Sequence, residues 1–398
     1  MVYDKKLTIG LFGFGVVGEG IYKVLHQTPT LSANIKKICI KHADKERDAP
    51  YTLFTKNASD ILQDDEINVV VELIDDAEAA YYIVKEALKS GKAVVSANKK
   101  MIAQHLDELI KLQRENDVPF LYEAAVCGSV PVIRNLEEYY DNDLLNSFSG
   151  IVNGSTNFIL TKISEDGLAY STALLEAQKL GFAESNPALD VEGIDAVNKL
   201  TIVLKHAYGI LAEPSTILHR GITQLHPADA IYALEKGYRI KLVANAKRIE
   251  DDKVVAWVLP QFVEAKSQLY NVRNEFNGVL LGSSLSDEQF LYGKGAGRYP
   301  TSSAVLSDIS ALRYNYKYEY KKTSTGISYA LHSEHALKVY VSFNEWNEIS
   351  KDDFLEIEET YSGKTRKFLV GNIPLEKLQN ASWVRNENVS LIVVENTN

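Results

Sequence analysis

The chain has little cysteine, no excess of positive charge and no long apolar run. Cys39 and Cys127 are its two cysteines in 398 residues. They are too few for a disulfide framework, and no zinc-type spacing of Cys or His accompanies them. The formal net charge of −10 disfavours nucleic-acid binding. No run of about 18 apolar residues occurs, and the first residues lack the apolar core of a signal peptide. We therefore expect a cytoplasmic protein with neither a membrane nor a nucleic-acid partner.

The composition is that of a globular protein. Hydrophobic residues make up 45% of the chain and charged residues 24%. A chain of 398 residues is too long for one ordinary core, so two or three domains are expected.

Short apolar runs alternate with helical patterns over the first third of the chain, which is typical of βαβ units and a parallel sheet. We predict an α/β protein with an N-terminal Rossmann-type doubly wound sheet. The predicted strands are 7–13, 36–41, 67–74, 93–96 and 119–122, and the predicted helices are 16–26, 77–90 and 106–116.

The pattern changes after residue 130 and indicates an α+β arrangement. Helices are predicted at 131–140, 168–180, 194–208, 227–236 and 301–313, and strands at 148–152, 254–262, 336–343, 354–360 and 389–394. We therefore expect three parts. A dinucleotide-binding domain spans 1–130 and is completed by about 293–313, a catalytic and dimerisation domain spans 131–292, and a small α+β unit spans 314–398.

A G-x-G-x-x-G fingerprint lies between the first predicted strand and the first predicted helix. Gly13, Gly15 and Gly18 are its glycines, and Phe14, Val16 and Val17 stand between them. The glycines permit a tight turn and a close approach to a pyrophosphate, which the helix N-terminus then holds. The pattern favours dinucleotide binding, and the alternative is a purely structural glycine turn.

The second predicted strand ends in basic residues. An acid at this position reads the ribose of NAD, but here Lys41 and His42 occupy it and Asp44 follows late. A basic residue suits a 2′-phosphate, so NADP is favoured over NAD. The alternative is that Lys41 is merely solvated.

Three loops carry further candidate groups. Lys99 follows a predicted strand at the edge where doubly wound sheets bind ligands, although a solvated lysine is the alternative. The small-residue loop from Glu123 to Pro131 is either a hinge or a set of carbonyls for a hard cation. The polar loop 150–160 either holds a carboxylate or supplies a helix N-cap at Ser155, Thr156 or Asn157.

Four carboxylates precede a single lysine between residues 184 and 199: Glu184, Asp190, Glu192 and Asp195, followed by Lys199. On a helix, Asp195 and Lys199 share one face, and such a group can bind a small zwitterion and handle a proton. The alternative is a surface ion pair worth about 0.2–0.5 kcal/mol. The apolar stripe of the predicted helix leaves both residues, and His206, facing either solvent or a cleft.

Taken in order, these motifs resemble those of homoserine dehydrogenases. The resemblance runs from about residue 7 to about residue 313. It includes the fingerprint, the segments 91–99, 123–131, 150–160 and 181–199, and the Gly-Lys-Gly-Ala-Gly loop at 293–297 with Pro300-Thr-Ser-Ser-Ala. The family interconverts L-homoserine and L-aspartate 4-semialdehyde with NAD or NADP, for threonine and methionine synthesis.

The resemblance implies roles for individual residues. Lys199 would be the general acid/base, Lys99 would hold the substrate oxygen, and Asp195 would orient the chemistry. Substrate binding would fall to Glu184 and Asp190, with Gly154 and Ser155 nearby. Asn98, Lys99 and Gly295 would join the fingerprint and Lys41 at the cofactor. A sodium ion would bind the backbone carbonyls of Glu123, Val126, Gly128 and Val130, and the resemblance also implies a homodimer.

The chain departs from the family pattern at several points. Asp75 and Asp76 stand where many members have two glycines, near the expected nicotinamide. Cys127 and Ser129 replace small residues of the sodium loop. No aspartate kinase portion precedes residue 7, so a monofunctional form is expected. The segment from about 314 occupies the place of a regulatory domain in some members, but it shows no clear amino-acid-binding pattern.

Two rival functions stay open at this point. One is another Rossmann oxidoreductase acting on a small amino or hydroxy acid. The other is a non-catalytic NADP-binding regulator. The presence of Lys99, Asp195 and Lys199 weighs against the regulator, because a sensor does not need them.

Overall fold

The computed structural model describes residues 5–42, 45–142, 144–250, 252–323 and 328–394, so Asp44 lies outside the described residues. These residues form two compact units. The first falls within Met1–Asp141 and Lys294–Lys321, and the second within Asn142–Gly293 and Lys322–Asn398. The predicted segment 314–398 is thus divided between the two units. Among the described helices, none has the length and apolar character needed to cross a membrane.

The strands of the described residues are numbered in chain order. They are β1 Leu7–Phe12, β2 Ala33–Cys39, β3 Phe54–Thr55, β4 Val69–Glu72, β5 Ala93–Ser96, β6 Phe120–Leu121, β7 Leu145–Ile151, β8 Leu218–His219, β9 Arg239–Arg248, β10 Lys253–Val263, β11 Phe276–Ser283, β12 Asp287–Lys294, β13 Ala330–Leu331, β14 Ala336–Phe343, β15 Glu356–Ser362, β16 Lys367–Pro374 and β17 Ser390–Val394.

The α-helices of the described residues are numbered in the same way. They are α1 Val16–Gln27, α2 Ser59–Leu62, α3 Ala77–Lys89, α4 Lys99–Asn116, α5 Val132–Arg134, α6 Gly154–Asp166, α7 Tyr170–Lys179, α8 Ala188–Val191, α9 Ile194–Tyr208, α10 Pro227–Glu235, α11 Arg298–Leu312 and α12 Leu375–Asn380.

The first unit contains a six-stranded parallel sheet, which confirms the predicted fold class. Its strand order is β3-β2-β1-β4-β5-β6. This is the order of dinucleotide-binding sheets, in which the strand order reverses between the parallel neighbours β1 and β4. Every residue of β4 and β5 is buried, as expected for the centre of a sheet covered on both faces. The carboxyl ends of β1, β4 and β5 therefore define the ligand-binding edge.

Capping residues fix where two helices of the first unit begin. Asp76 accepts a hydrogen bond from the Ala79 amide at the start of α3. Asn98 does the same for the Met101 amide at the start of α4. The cap is a physical reason for an acid at position 76. The α4 cap also starts that helix seven residues earlier than the sequence pattern predicts.

The second unit is built on one large mixed sheet. Its order is β12-β11-β7-β9-β10-β17-β14-β16-β15. Strands β14 to β17 come from the C-terminal segment, and they share a buried core with β10 that includes Trp257, Leu259, Val341 and Leu391. The C-terminal strands are thus part of the same sheet and the same core as the strands before them.

One side of β10 is paired with three short segments in succession. Lys253 and Val254 pair with β13, Trp257 and Val258 pair with β8, and β17 pairs with the end of the strand. All three pairings are parallel. On its other side, β10 forms a long antiparallel ladder with β9.

Candidate active site

The glycine fingerprint forms the turn that the sequence predicts. Gly13 has a φ of 93°, and its amide donates to the Cys39 carbonyl at 3.0 Å. A Cβ on Gly18 would lie 2.3 Å from the Gly13 carbonyl oxygen, whereas a Cβ on Gly15 would meet nothing within 4 Å. Gly15 also precedes the first turn of α1. The turn therefore presents open space at a helix N-terminus, which fits the pyrophosphate of a dinucleotide.

Two cations lie near the end of β2. Lys41 is exposed, and Arg47, a residue not predicted from the sequence, is half-buried. The Arg47 guanidinium donates to the carbonyls of His42 and Lys45, and it lies 5.5 Å from the ring centroid of Phe54. The only sequence signal for Arg47 is its position six residues after Lys41 in a polar stretch.

The loop from Glu123 to Val130 is tightly folded. Cys127 and Gly128 have φ values of 57° and 52°, so two successive residues are left-handed. A Cβ on Gly128 would lie 2.5 Å from the Gly295 carbonyl oxygen. The amide and the hydroxyl of Ser129 both donate to the Lys294 carbonyl, at 3.1 and 3.0 Å. Gly295 thus packs against this loop.

The carboxylate of Glu123 is buried below the same loop. It accepts hydrogen bonds from the amides of Ile133 and Arg134, and its own amide donates to Asp308. Burial, followed by the charge of Asp308, raises the pKa of Glu123 to about 8. Burial also raises the pKa of Asp308 to about 7, although Arg134 donates to it at 3.0 Å and opposes that shift. These carboxylates connect the loop to α5 and α11.

The described residues contain no group of three or more His, Cys, Asp or Glu side chains that could hold a metal ion. The predicted sodium site consists of backbone carbonyls, so it is not addressed by that search and stays a prediction. Of its members, the carbonyls of Glu123 and Val130 accept the amides of Val126 and Val132. A carbonyl oxygen has a second lone pair, so both still suit a cation.

Asp195 and Lys199 form a buried ion pair in the second unit. The Lys199 ammonium lies 2.8 Å from the Asp195 carboxylate and donates to the Val152 carbonyl at 2.6 Å. The residues are 5% and 8% exposed. The alternative of a surface ion pair is therefore wrong. His206, expected at the surface or against the next loop, is 1% exposed.

The burial of α9 on nearly every side explains this correction. Residues on both its apolar and its polar faces are buried, from Asp195 to Tyr208. The apolar stripe alone therefore does not separate a water-facing side from a protein-facing side.

Asn153, which was not among the site residues predicted from the sequence, connects the candidate substrate residues. Its side-chain oxygen caps α6 by accepting the Thr156 amide, so the predicted caps at residues 155–157 are wrong. Its Nδ2 donates to Asp190 at 2.7 Å and to Asp195 at 2.8 Å. The sequence signal that could have identified it is its position between a predicted strand and a helix N-terminus. The amide uses all its donors to hold two carboxylates beside the α6 N-terminus.

The structure brings some predicted substrate residues together and leaves others apart. Asp190, Asp195 and Lys199 belong to one hydrogen-bonded network through Asn153. Gly154 and Ser155 begin the helix that Asn153 caps, and the Ser155 hydroxyl donates to the Phe182 carbonyl at 2.5 Å. Glu184 is exposed, and its backbone carbonyl accepts a hydrogen bond from Gln178.

Comparison with known families gives a consistent result. A model of the homoserine dehydrogenase NAD-binding domain matches residues 13–123, and a homoserine dehydrogenase model matches residues 131–310. The Bacillus subtilis homoserine dehydrogenase is 36% identical over 320 residues, which cover 78% of this chain and 74% of that protein. The Helicobacter pylori enzyme is 37% identical over 312 residues, covering 77% and 73%.

Solved structures extend the likeness to the whole fold. A homoserine dehydrogenase from Thiobacillus denitrificans has a TM-score of 0.87 and 30% identity, and the match covers 98% of both chains. A hyperthermophilic archaeal homoserine dehydrogenase in complex with NADPH has a TM-score of 0.66 and 26% identity, covering 78% of this chain and 99% of that one. With both family models matched in sequence order, this chain belongs to the homoserine dehydrogenase family of oxidoreductases.

Proposed function

We propose that the chain interconverts L-homoserine and L-aspartate 4-semialdehyde with Lys199 as the general acid/base. The buried Lys199 is the observation that carries this proposal. Within the described residues, its ammonium donates to Val152 and pairs with Asp195. An ammonium has three donors, so one is left for a substrate oxygen. The pathway assignment to threonine and methionine synthesis is part of this proposal.

The proton transfer follows from this arrangement. The hydride at the substrate carbon would be supplied or accepted by the nicotinamide, once the residues from Gly13 to Gly18 hold the dinucleotide. During reduction, Lys199 donates a proton to the oxygen that gains negative charge, and during oxidation it removes a proton from the hydroxyl. Asp195 holds the lysine in place, while the Val152 carbonyl sets its direction. Lys99, the first residue of α4, holds the substrate oxygen with a second ammonium.

The substrate's two charged ends require opposite partners. We assign the ammonium end to Asp190, which Asn153 holds at 2.7 Å, and to Glu184. We assign the carboxylate end to the N-terminus of α6 at Gly154 and Ser155, where amide donors and the helix dipole favour an anion. A zwitterionic amino acid such as homoserine matches this set of groups.

The cofactor proposal is NADP, with NAD as the alternative. The residues from Gly13 to Gly18 hold the pyrophosphate, since a Cβ on Gly15 would meet open space. Lys41 and Arg47 meet the 2′-phosphate, and the NADPH-bound archaeal relative supports this choice. Asn98, Lys99 and Gly295 complete the proposed cofactor contacts.

Three further proposals come from the family resemblance. A sodium ion binds the carbonyls of Glu123, Val126, Gly128 and Val130, and the tight turn at Cys127 and Gly128 supports a cation-binding loop. The chain forms a homodimer, and it works in the cytoplasm.

An absorbance assay of the nicotinamide tests the function directly. With L-homoserine and NADP at alkaline pH, we expect substrate-dependent formation of reduced nicotinamide. L-Serine and L-threonine serve as controls, because they share the zwitterion but place the hydroxyl differently. A response to one of them without a response to homoserine favours another amino-acid oxidoreductase. NADPH binding without turnover of any substrate favours the regulator.

Charge reversal at Lys41 should change the cofactor preference. We expect Lys41→Glu to lower kcat/KM for NADP at least about tenfold relative to NAD, because about 1.4 kcal/mol of phosphate attraction is lost. Arg47→Ala should shift the ratio in the same direction. Lys111→Glu, at an exposed lysine of α4, is the matched control for net charge. An unchanged NADP/NAD ratio in Lys41→Glu would place the 2′-phosphate elsewhere.

A further inference from the structure

Glu72 is a buried carboxylate at the ligand-binding edge of the parallel sheet. It is the last residue of β4, has no exposed surface, and lies in register with Phe12 of β1 and Ser96 of β5. One carboxylate oxygen accepts the Ser96 hydroxyl at 2.6 Å, and the other accepts the Ile74 amide at 2.7 Å. Both donors are neutral groups, so neither cancels the charge of the carboxylate.

Asn98 closes these contacts into a ring. The backbone amide of Asn98 donates to the Ser96 hydroxyl oxygen at 3.1 Å, and its side-chain Nδ2 donates to the Ile74 carbonyl at 2.9 Å. The remaining side-chain oxygen caps α4. Glu72, Ser96, Asn98 and Ile74 therefore tie the loop after β4 to the loop after β5.

Each loop carries a part of the proposed site. Lys99 directly follows Asn98 as the first residue of α4. On the other loop, Leu73 and Ile74 pack against the fingerprint turn, because a Cβ on Gly13 would lie 2.7 Å from the Leu73 carbonyl oxygen. A shift in the ring would thus move both the lysine and the wall of the dinucleotide turn.

We propose that Glu72 is a positioning residue that sets the location of Lys99 and of the loop after β4 for hydride transfer. It acts through Ser96, Asn98 and Ile74 and does not itself touch the substrate. A carboxylate buried among neutral donors is costly, because no cation balances its charge. Burial accordingly raises the pKa of Glu72 to about 7. Because the inference assigns a role through Lys99, it rests on the proposed function.

Two substitutions of Glu72 separate positioning from simple stability. In Glu72→Gln, the amide oxygen still accepts the Ile74 amide and the Nε2 donates to Ser96, so the ring persists. In Glu72→Ala the ring is open. Misplacement of a positioned group by about 1 Å lowers the rate about 100-fold. We therefore expect kcat to fall about 10–100-fold, while KM for homoserine changes less than about threefold. Glu72→Gln should retain kcat within about threefold of the unaltered chain.

Gln113→Ala is the matched control in the same unit. Gln113 is 2% exposed; it accepts a hydrogen bond from the Phe120 amide and donates one to the Tyr318 carbonyl. Its loss therefore opens buried hydrogen bonds away from the carboxyl ends of β4 and β5. We expect a lowered melting temperature with unchanged kcat. Normal kcat in Glu72→Ala, equal losses in Glu72→Ala and Glu72→Gln, or an equal loss in Gln113→Ala would each overturn the inference.

Lys99→Ala distinguishes failure of this inference from failure of the proposed function. If the unaltered chain shows no homoserine-dependent signal, or if Lys99→Ala is fully active, the proposed function or the role of Lys99 fails first. If Lys99→Ala is impaired while Glu72→Ala is not, the positioning role of Glu72 alone fails.

Discussion

Replacing Lys199 by alanine is expected to lower kcat about 10²–10⁴-fold, the usual contribution of a positioned acid/base. The reason is that its ammonium lies buried between Asp195 and the Val152 carbonyl, where it delivers a proton to the substrate oxygen. NADPH binding should persist, because the fingerprint lies in the other compact unit. Steady-state kinetics and titration of NADPH fluorescence measure the two quantities separately.

Folding has to be controlled in this experiment. Removing Lys199 leaves Asp195 buried without its cation, which costs about 3–5 kcal/mol of the free energy of unfolding. The double variant Lys199→Met/Asp195→Asn removes both charges, so it should recover much of the melting temperature while kcat stays low.

Lys241→Met is a second control, since Lys241 is also a buried lysine that donates to a backbone carbonyl, that of Val272. It should leave kcat near that of the unaltered chain. Full activity of Lys199→Ala would remove this lysine from the mechanism.

Substitution of Gly15 by valine is expected to weaken NADPH binding at least about 100-fold, or about 2.7 kcal/mol, with little change in the melting temperature. A Cβ at Gly15 meets no protein atom within 4 Å, and the residue has a φ of −85°, which any side chain adopts. The new side chain therefore occupies the space assigned to the pyrophosphate and nothing else.

Gly18→Ala provides the contrast. Its Cβ would lie 2.3 Å from the Gly13 carbonyl oxygen, so the turn itself has to move. We expect it to lower both the melting temperature and NADPH affinity. Calorimetric titration with NADPH and thermal unfolding of both variants check the comparison. NADPH binding by Gly15→Val with unaltered affinity would show that the pyrophosphate does not approach this residue.

The dinucleotide half of the site could be predicted because its determinants are local. The turn from Gly13 to Gly18 needs a strand before it and a helix after it, and both are visible as short periodic patterns. Arg47 was not predicted, because its approach to the Phe54 ring joins segments that no local sequence pattern links.

The substrate half depends on contacts distant in sequence. Spacing placed Asp195 and Lys199 on one face of α9, but the burial of that face requires Val152 and Asn153, more than 40 residues earlier. Strand β9, which packs near α9, was not predicted, because Lys241 and Asn245 interrupt its apolar pattern. Both side chains can be buried because they donate hydrogen bonds to residues of other elements. Lys241 donates to Asn157, and Asn245 donates to Gln261.

The contacts of Glu72, which lies inside a predicted strand, also depend on residues distant in sequence. The apolar run around it indicated a buried strand, yet sequence alone did not show that its carboxylate meets Ser96 across the sheet. Ser96 lies in the next strand, 24 residues later and beyond α3, so the pairing of Glu72 with Ser96 is not visible in the sequence of either strand.

The three short segments that pair with β10 protect a surface prone to self-association. An eleven-residue strand with open backbone donors and acceptors is a template for pairing with another chain. Strand β8 covers its middle, while β13 and β17, both from the C-terminal segment, cover the two ends. The C-terminal segment thus shields the backbone of β10 from pairing with another chain. Removal of that segment would expose both ends of this edge of β10.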